Sequence, residues 1–154
     1  MPSSSAVAPD AALSDTAAEL ARARDVPVRH RSHIPETNMK FMILVKSNPG
    51  MEARIATASD ADMKAQMAEM EAFNDELRRV GALKDCDGLQ LSPRGKRVHF
   101  DGAMRSVVDG PFEGDLVAGY WIWELPTMDD AVAWVKRCPN PMPLPSDIEI
   151  RAIG

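Results

Sequence analysis

Asp109 has the sequence surroundings best suited to acid–base chemistry. It follows two valines at the end of an apolar strand and precedes Gly110-Pro111, whose restricted geometry would fix the direction of its carboxylate. A carboxyl group in a partly apolar cleft can exchange protons near neutral pH. An aspartate before Gly-Pro also commonly accepts hydrogen bonds from turn amides, so a structural role stays open. Asp109 is therefore the first candidate for both catalysis and ligand binding.

His99 is the second catalytic candidate, because histidine is the side-chain type that gains and loses protons near neutral pH. It is the one histidine after position 38. Strand alternation groups it with Arg97 and Asp101, opposite Val98 and Phe100, which predicts that its ring faces solvent. The pattern therefore favours a solvated histidine here, with catalysis as the weaker hypothesis.

The remaining candidates for ligand binding lie in the loop after Asp109 and in the strand that follows the loop. They are Pro111, Phe112, Tyr120 and Glu124. Glu124 stands in an otherwise apolar strand and needs a cationic partner, for which Arg105 and Arg151 are the candidates. Two interpretations of Glu124 stay open: a structural or interface ion pair, or a residue of the cleft.

The sequence contains no pattern typical of a metal, nucleotide or other cofactor site. Cys86 and Cys138 stand alone, without CxxC or zinc spacing, and no phosphate-binding loop or nucleophile elbow is present. We therefore predict no cofactor and no metal. A net charge of −5 provides no basic field for nucleic acid or an anionic membrane, and no apolar run is long enough to span a bilayer. The two isolated cysteines fit a reducing, cytoplasmic location.

The first 38 residues differ in composition from the rest of the chain. All eight aromatic residues lie after position 40, and the opening segment is rich in Ala, Ser, Pro and Arg. Such a segment buries too little apolar surface to offset the entropy lost on ordering. We predict a disordered N-terminal extension at 1–38, with translation from Met39 as one explanation. An interaction arm built on Arg29, His30, Arg31 and His33 is the alternative.

Removal of this extension is expected to leave the stability of the domain unchanged. A chain that begins at Met39 should match the full chain in thermal midpoint to within about two degrees, since no packed residue is lost. Calorimetry on the two chains makes the comparison. A clearly lower midpoint for the short chain would show that the extension packs on the domain.

From Met39 onward, hydrophobic periodicity and turn residues predict alternating strands and helices. Capping-box patterns at Ser59–Asp62 and Thr127–Asp130 open two amphipathic helices, which end before Gly81 and at Cys138-Pro139. Strands are predicted at 40–46 (closed by a turn at 47–50), 82–91, 97–100, 104–108, 118–125 and 147–153. The order predicts an α+β, ferredoxin-like βαββαβ fold with an inserted hairpin, an antiparallel sheet and both helices on one face. A three-residue hairpin loop at 101–103 would pair Phe100 with Met104.

The central strands are apolar on both sides, which two helices on one face cannot cover. The first strand alternates Phe41, Ile43 and Val45 with Met42 and Leu44. The fifth strand alternates in the same way, with its tryptophans on one side and Tyr120 and Ile122 on the other. Because so large an apolar face is rare on a soluble monomer, we predict a two-fold homodimer. The tryptophans Trp121 and Trp123 would then belong to the core, the dimer interface or a ligand cavity.

The segment VVDGPF at 107–112 resembles the YCII-related family, and specifically its DGPF-motif branch. Similar stretches are MKFMILVK at the start, AFNDEL at 72–77, GLQL at 88–91, LVAGYWIWEL at 116–125, AVAWVKRCPNPMP at 131–143 and DIEIRAI at 147–153. DGPF alone is a weak signal, whereas the ordered set is specific. The resemblance predicts a YCII-related (DGPF) domain over 39–154.

The resemblance implies a dimeric α+β barrel with a cleft between sheets and helices. It also implies a genomic association with alternative sigma factors and, in some relatives of the wider family, lyase-like chemistry by a His–Asp pair. This chain departs from the pattern after the motif, where Glu113-Gly114-Asp115 replace a segment that usually contains a lysine. The resemblance therefore does not extend to a function that depends on that lysine.

The predicted function is that of a small-molecule-binding homodimer, with acid–base, lyase-like chemistry centred on Asp109. The alternative is a non-catalytic regulatory or interaction module associated with sigma-factor-linked transcription, and a purely structural dimer is the third hypothesis. The enzyme hypothesis requires a second titratable group in the same cleft as Asp109. Neither the substrate nor the existence of a reaction follows from the sequence.

Overall fold

The computed structural model describes residues 37–154. The disordered extension predicted at 1–38 therefore falls almost wholly outside the described residues. The elements in chain order are β1 (Met39–Ser47), α1 (Pro49–Ala56), α2 (Asp60–Arg79), β2 (Leu83–Gly88), β3 (Lys96–Asp101), β4 (Met104–Asp109), β5 (Leu116–Leu125), α3 (Met128–Arg137) and β6 (Ile148–Ile153). A short 3-10 turn, Ser92–Arg94, lies between β2 and β3.

The strands form two separate antiparallel sheets. The main sheet has the order β2-β5-β1-β6, so its two most apolar strands lie at the centre. This arrangement of two βαβ halves is consistent with the predicted ferredoxin-like fold. Within the part of the chain that the structure describes, β3 and β4 pair only with each other, as an insertion between β2 and β5. The predicted α+β class, with its inserted hairpin, is confirmed.

One face of the main sheet carries the core. Trp123, Phe41 and Ile43 are fully buried against Leu77 of α2 and Ala131 of α3. Burial of large aliphatic and aromatic side chains is the main favourable contribution to folding. The tryptophans of β5 therefore belong to the core of the chain itself.

The opposite side of the main sheet, here called the open face, is not covered by any helix of residues 37–154. Its side chains are only half-buried, and those at its centre are Met42, Leu44, Tyr120, Ile122 and Glu124. The residues pair across β1 and β5, with Met42 opposite Ile122 and Leu44 opposite Tyr120. An apolar patch therefore remains on the surface of a single chain, as the sequence pattern predicts.

Both predicted helix starts are confirmed by their caps. The Ser59 hydroxyl accepts a hydrogen bond from the Asp62 amide at 3.2 Å, and the Thr127 hydroxyl accepts one from the Asp130 amide at 3.1 Å. Each cap satisfies one of the four amides that a helix leaves without a partner at its start.

The turn predicted at 47–50 is instead the start of a third helix. The Asn48 side chain accepts a hydrogen bond from the Met51 amide at 2.9 Å, and Pro49 occupies the first helical position. Asparagine before proline suits a helix start as well as a turn, and α1 is too short to show clear periodicity. The sequence therefore predicted two of the three helices of the described residues and missed α1.

The hairpin register also differs from the prediction. Phe100 pairs with Arg105, and Asp101 pairs with Met104, so the loop contains two residues and not three. Gly102, the first residue of that loop, has φ of +54°. A glycine with positive φ at this place is typical of the two-residue turns that match the twist of hairpin strands.

Candidate functional site

The loop that follows β4 is held by a clasp between Glu52 and Ser92. The Glu52 carboxylate accepts hydrogen bonds from the Ser92 amide at 2.7 Å and from the Ser92 hydroxyl at 2.6 Å. The same hydroxyl accepts a hydrogen bond from the Phe112 amide at 3.3 Å. Because Ser92 is buried, these bonds are shielded from water and strengthened by their charged acceptor. Helix α1, which contains Glu52, therefore positions the loop.

Gly110 fits this loop because it has no side chain. Its amide donates to the Gly95 carbonyl at 2.9 Å, and it lies against the backbone of Ser92. A Cβ on Gly110 would lie 1.7 Å from the Ser92 carbonyl oxygen, which is far inside van der Waals contact. The next peptide bond, Gly110-Pro111, is cis. The loop can take this course only with glycine at position 110.

Phe112 extends the loop toward the hairpin. The Arg97 guanidinium lies over its ring, 4.1 Å from the centroid, in a cation–π contact. Gly95 lies against the same ring, since a Cβ there would be 3.1 Å from Phe112 Cε2. The contacts place an arginine of β3 beside the aromatic residue of the loop.

The loop and the hairpin together line an open, shallow concavity of about 700 Å³. Its volume is in the range of small-molecule sites. The lining side chains include Arg97, His99, Ser106, Pro111, Phe112 and Glu113. His99 and Ser106 are directly opposite each other in the hairpin, and Val108 pairs with Arg97 on the same face. The concavity therefore combines a cation, a carboxylate, an imidazole and a hydroxyl with an aromatic wall.

Asp109 points away from this concavity. It pairs with Lys96 in the hairpin register, and its carboxylate accepts a hydrogen bond from Lys96 Nζ. The side chain of Asp109 is 73% exposed. Alternation along β4 places it on the face opposite Val108. Asp109 and His99 therefore lie on opposite faces of the hairpin.

Tyr120 and Glu124 lie on the open face of the main sheet, and both have partners. The Tyr120 hydroxyl donates to Asp85 Oδ2 at 3.0 Å, and this hydrogen bond raises the pKa of Tyr120. Glu124 pairs with Lys84 at 3.5 Å and with Lys40 at 4.0 Å. The partners proposed from the sequence, Arg105 and Arg151, were therefore wrong. Lys40 is directly opposite Glu124 across the β1–β5 pair, whereas Arg105 belongs to the separate hairpin.

The two cysteines are poor nucleophiles in this fold. Burial raises the pKa of the Cys138 thiol to about 11 and also raises that of Cys86. A thiol with a raised pKa has little thiolate near neutral pH. Within residues 37–154, no three histidine, cysteine or carboxylate side chains lie close enough to hold a metal ion. No helix in that range is long and apolar enough to cross a membrane.

Comparison with known proteins identifies the family. The profile of the YCII-related domain matches residues 39–153, which is most of the chain and the whole of the described fold apart from its ends. The chain belongs to the YCII-related domain family. No curated protein matches the chain. Membership of the DGPF branch stays a prediction from the motif at 107–112.

The candidate residues of this YCII-related domain fall into three places. His99, Pro111 and Phe112 line the concavity, Asp109 lies on the other face of the hairpin, and Tyr120 and Glu124 lie on the open face. The structure thus brings together the weaker catalytic candidate and two of the five predicted ligand-binding residues.

Arg97 and the Glu52–Ser92 clasp are absent from the predicted site of the YCII-related domain. The alternation that groups Arg97 with His99 was visible in the sequence and could have found the arginine. No local signal joins Glu52 to Ser92, which are 40 residues apart and belong to different elements. The clasp can be recognised only from the three-dimensional structure, in which α1 lies beside the loop.

Proposed function

We propose that this YCII-related domain binds a small organic anion in the concavity between hairpin and loop. The observation that carries the proposal is the position of Arg97, whose guanidinium is stacked on Phe112 beside His99 and Ser106. Stacking on a ring occupies the flat face of a guanidinium and leaves its N–H donors at the edge. Those donors match the two oxygens of a carboxylate.

The apolar part of the concavity favours an anion with a flat hydrocarbon body. Phe112 and Pro111 form one wall, and Val108 adds apolar surface from the hairpin. Sites for small molecules commonly combine such walls with a few placed polar groups. An aromatic carboxylic acid therefore fits better than inorganic phosphate or a sugar.

The acid–base role predicted for Asp109 and His99 stays part of the proposal. His99 and Glu113 are titratable groups that line the concavity beside Arg97, whereas Asp109 lies on the other face of the hairpin, paired with Lys96. Lyase-like chemistry would need one of them to move a proton of the bound acid. The variants Asp109→Asn and His99→Gln test these two roles separately.

A homodimer formed through the open face is the second part of the proposal. It is supported by the half-buried Met42, Leu44 and Ile122 at the centre of that face. The ion pairs of Glu124 with Lys84 and Lys40 lie beside them. An apolar centre with charged residues around it is the usual composition of a protein interface. A two-fold pairing would cover both copies of the patch at once.

The anion proposal is tested by titration of the full chain with benzoate, with benzamide as the uncharged control. We expect benzoate to raise the thermal midpoint and benzamide to have little effect, since ligand binding to the folded state stabilises it. Arg97→Gln should weaken benzoate binding about tenfold or more through loss of a charge-assisted contact. Arg94→Gln is the matched control, because Arg94 is exposed and lies outside the concavity.

The role of Asp109 is tested by comparing wild type and Asp109→Asn in stability, in binding and in turnover of the acids that bind. Asp109→Asn removes an exposed ion pair, which contributes about 0 to 1 kcal/mol. Loss of turnover of a substrate acid with stability intact would support the acid–base role, and unchanged binding and turnover would contradict it. Equal response of wild type and Arg97→Gln to every acid tested would overturn the anion site.

A further inference from the structure

We infer that the β3–β4 hairpin, here called the arm (Lys96–Asp109), packs through one of its faces on a second copy of this chain, beside Asp85 and Asp87 of that copy. The inference rests on the homodimer proposed above and names a structural element that holds its two copies together. It concerns the face of the arm opposite the concavity, so the anion site and the docking surface are separate.

Apart from the Arg97–Phe112 contact and the hydrogen bond from the Gly110 amide to Gly95 at its base, the arm has little support from the rest of the described chain. Its two strands contact mainly each other, and every residue of both strands is exposed. A two-stranded hairpin on its own is at best marginally stable in water. A regular six-pair ladder of this kind therefore indicates a surface that is covered in the working protein.

One face of the arm is an apolar stripe. Val98 and Val107 are directly opposite each other, and Phe100 follows on the same side. Their exposed fractions are 49%, 62% and 64%. Arg105 lies over the Phe100 ring at 4.4 Å from its centroid. Phenylalanine and arginine are the side chains that interfaces favour, and valine pairs supply apolar area between them.

The charge of the arm selects its partner. The arm contains three basic side chains, Lys96, Arg97 and Arg105, and two acidic ones, Asp101 and Asp109, so its formal net charge is positive. The chain as a whole has a net charge of −5, so the residues outside the arm carry the excess of acidic side chains. A second copy therefore offers the complementary charge, whereas two arms placed together would repel each other.

Asp85 and Asp87 are the acidic groups best placed to receive the arm. Both are exposed on β2, an edge strand of the main sheet. They pair with Ile122 and Tyr120 of β5, so they lie at the rim of the open face. Docking of the arm there would continue the interface proposed for the open face. One two-fold pairing then covers two separate apolar areas of each chain.

A charge-swap experiment tests this contact. Arg105→Glu and Asp87→Arg should each weaken the dimer about tenfold, and the double variant should recover most of the loss. Sedimentation of the full chain over a dilution series measures the dissociation constants. Lys136→Glu on α3 is the control for net charge, because α3 packs on the helix-covered side of the sheet. Failure of the double variant to recover affinity would overturn the pairing.

The apolar face is tested with a matched pair of arm variants. Phe100→Ser with Val107→Ser should weaken the dimer at least about tenfold through loss of buried apolar area. Met104→Ser, on the opposite face of the arm and equally exposed, should leave the dimer unchanged. Equal dissociation constants for all three chains would overturn the docking face. Circular dichroism checks that each variant remains folded.

Different results would contradict the arm contact and the homodimer. A wild-type chain that sediments as a monomer at micromolar concentration would overturn the homodimer, and the arm contact with it. A dimer that is split by Ile122→Lys but is unaffected by every arm variant would overturn the arm contact alone. Hydrogen exchange gives a second readout: arm amides should be protected in the wild-type dimer and exchange faster in Ile122→Lys.

Discussion

Trp123→Lys is expected to unfold the domain. Trp123 is fully buried, and its ring lies 5.9 Å from that of Trp121 and 6.2 Å from that of Phe73. The substitution removes a large aromatic side chain, at about 3 to 5 kcal/mol, and buries an ammonium group with no partner, at several kcal/mol more. The sum approaches the whole stability of a typical domain, which is about 5 to 15 kcal/mol. Near-ultraviolet circular dichroism and the thermal midpoint measure the loss.

The neighbouring substitution Ile122→Lys is the matched control. Ile122 is adjacent in β5 but lies on the open face, so a lysine there can reach solvent. The variant should keep its circular dichroism spectrum and sediment as a monomer if the open face forms the dimer. The sequence pattern left Trp123 in the core, the dimer interface or a ligand cavity, and its complete burial in a single chain favours unfolding. A cooperative, native-like transition in Trp123→Lys would contradict this.

Gly110→Ala is expected to have the second largest effect, and it should act on the loop. The added methyl would overlap the Ser92 carbonyl oxygen, so either the loop or the 3-10 turn must shift. Overpacking of this kind costs about 1 to 3 kcal/mol, with more where backbone must move. Because Ser92 also holds Phe112, the shift should weaken benzoate binding as well as stability.

Gly88→Ala provides the comparison for this prediction. No atom lies within 4 Å of a Cβ placed on Gly88, and its backbone does not have positive φ. A surface substitution without such constraints usually changes stability by about 0.5 kcal/mol or less. Chemical denaturation of the two variants measures both values. Equal stabilities for Gly110→Ala and Gly88→Ala would show that the loop accommodates a side chain.

The parts of the fold that the sequence predicted well are those with local signals. The caps at Ser59 and Thr127 depend on residues three apart, and the alternation in β1 and β5 depends on neighbours two apart. α1 was missed because its Asn48-Pro49 start has the same composition as a turn. The hairpin register was wrong by one residue because two- and three-residue loops containing glycine are hard to separate by composition.

The site was harder to predict than the fold because its parts meet only in three dimensions. Alternation grouped His99 with Arg97 correctly, and both line the concavity. The exposed ion pair of Asp109 with Lys96 depends on the hairpin register, which the sequence left uncertain. The partners of Glu124 depend on strand order in the main sheet, which brings Lys40 beside it from the first strand.

The clasp between Glu52 and Ser92 also constrains how this chain can change over evolutionary time. Two oxygens of one carboxylate are matched to an amide and a hydroxyl of one residue. A change at position 52 leaves the buried Ser92 hydroxyl without its acceptor, and a change at position 92 leaves an oxygen of the half-buried Glu52 without its donor. Substitutions at positions 52 and 92 should therefore occur together among homologous sequences, most readily as Asp or Gln with Thr. Position 110 should remain glycine in every sequence that keeps the clasp, because the Ser92 carbonyl occupies the space of its missing side chain.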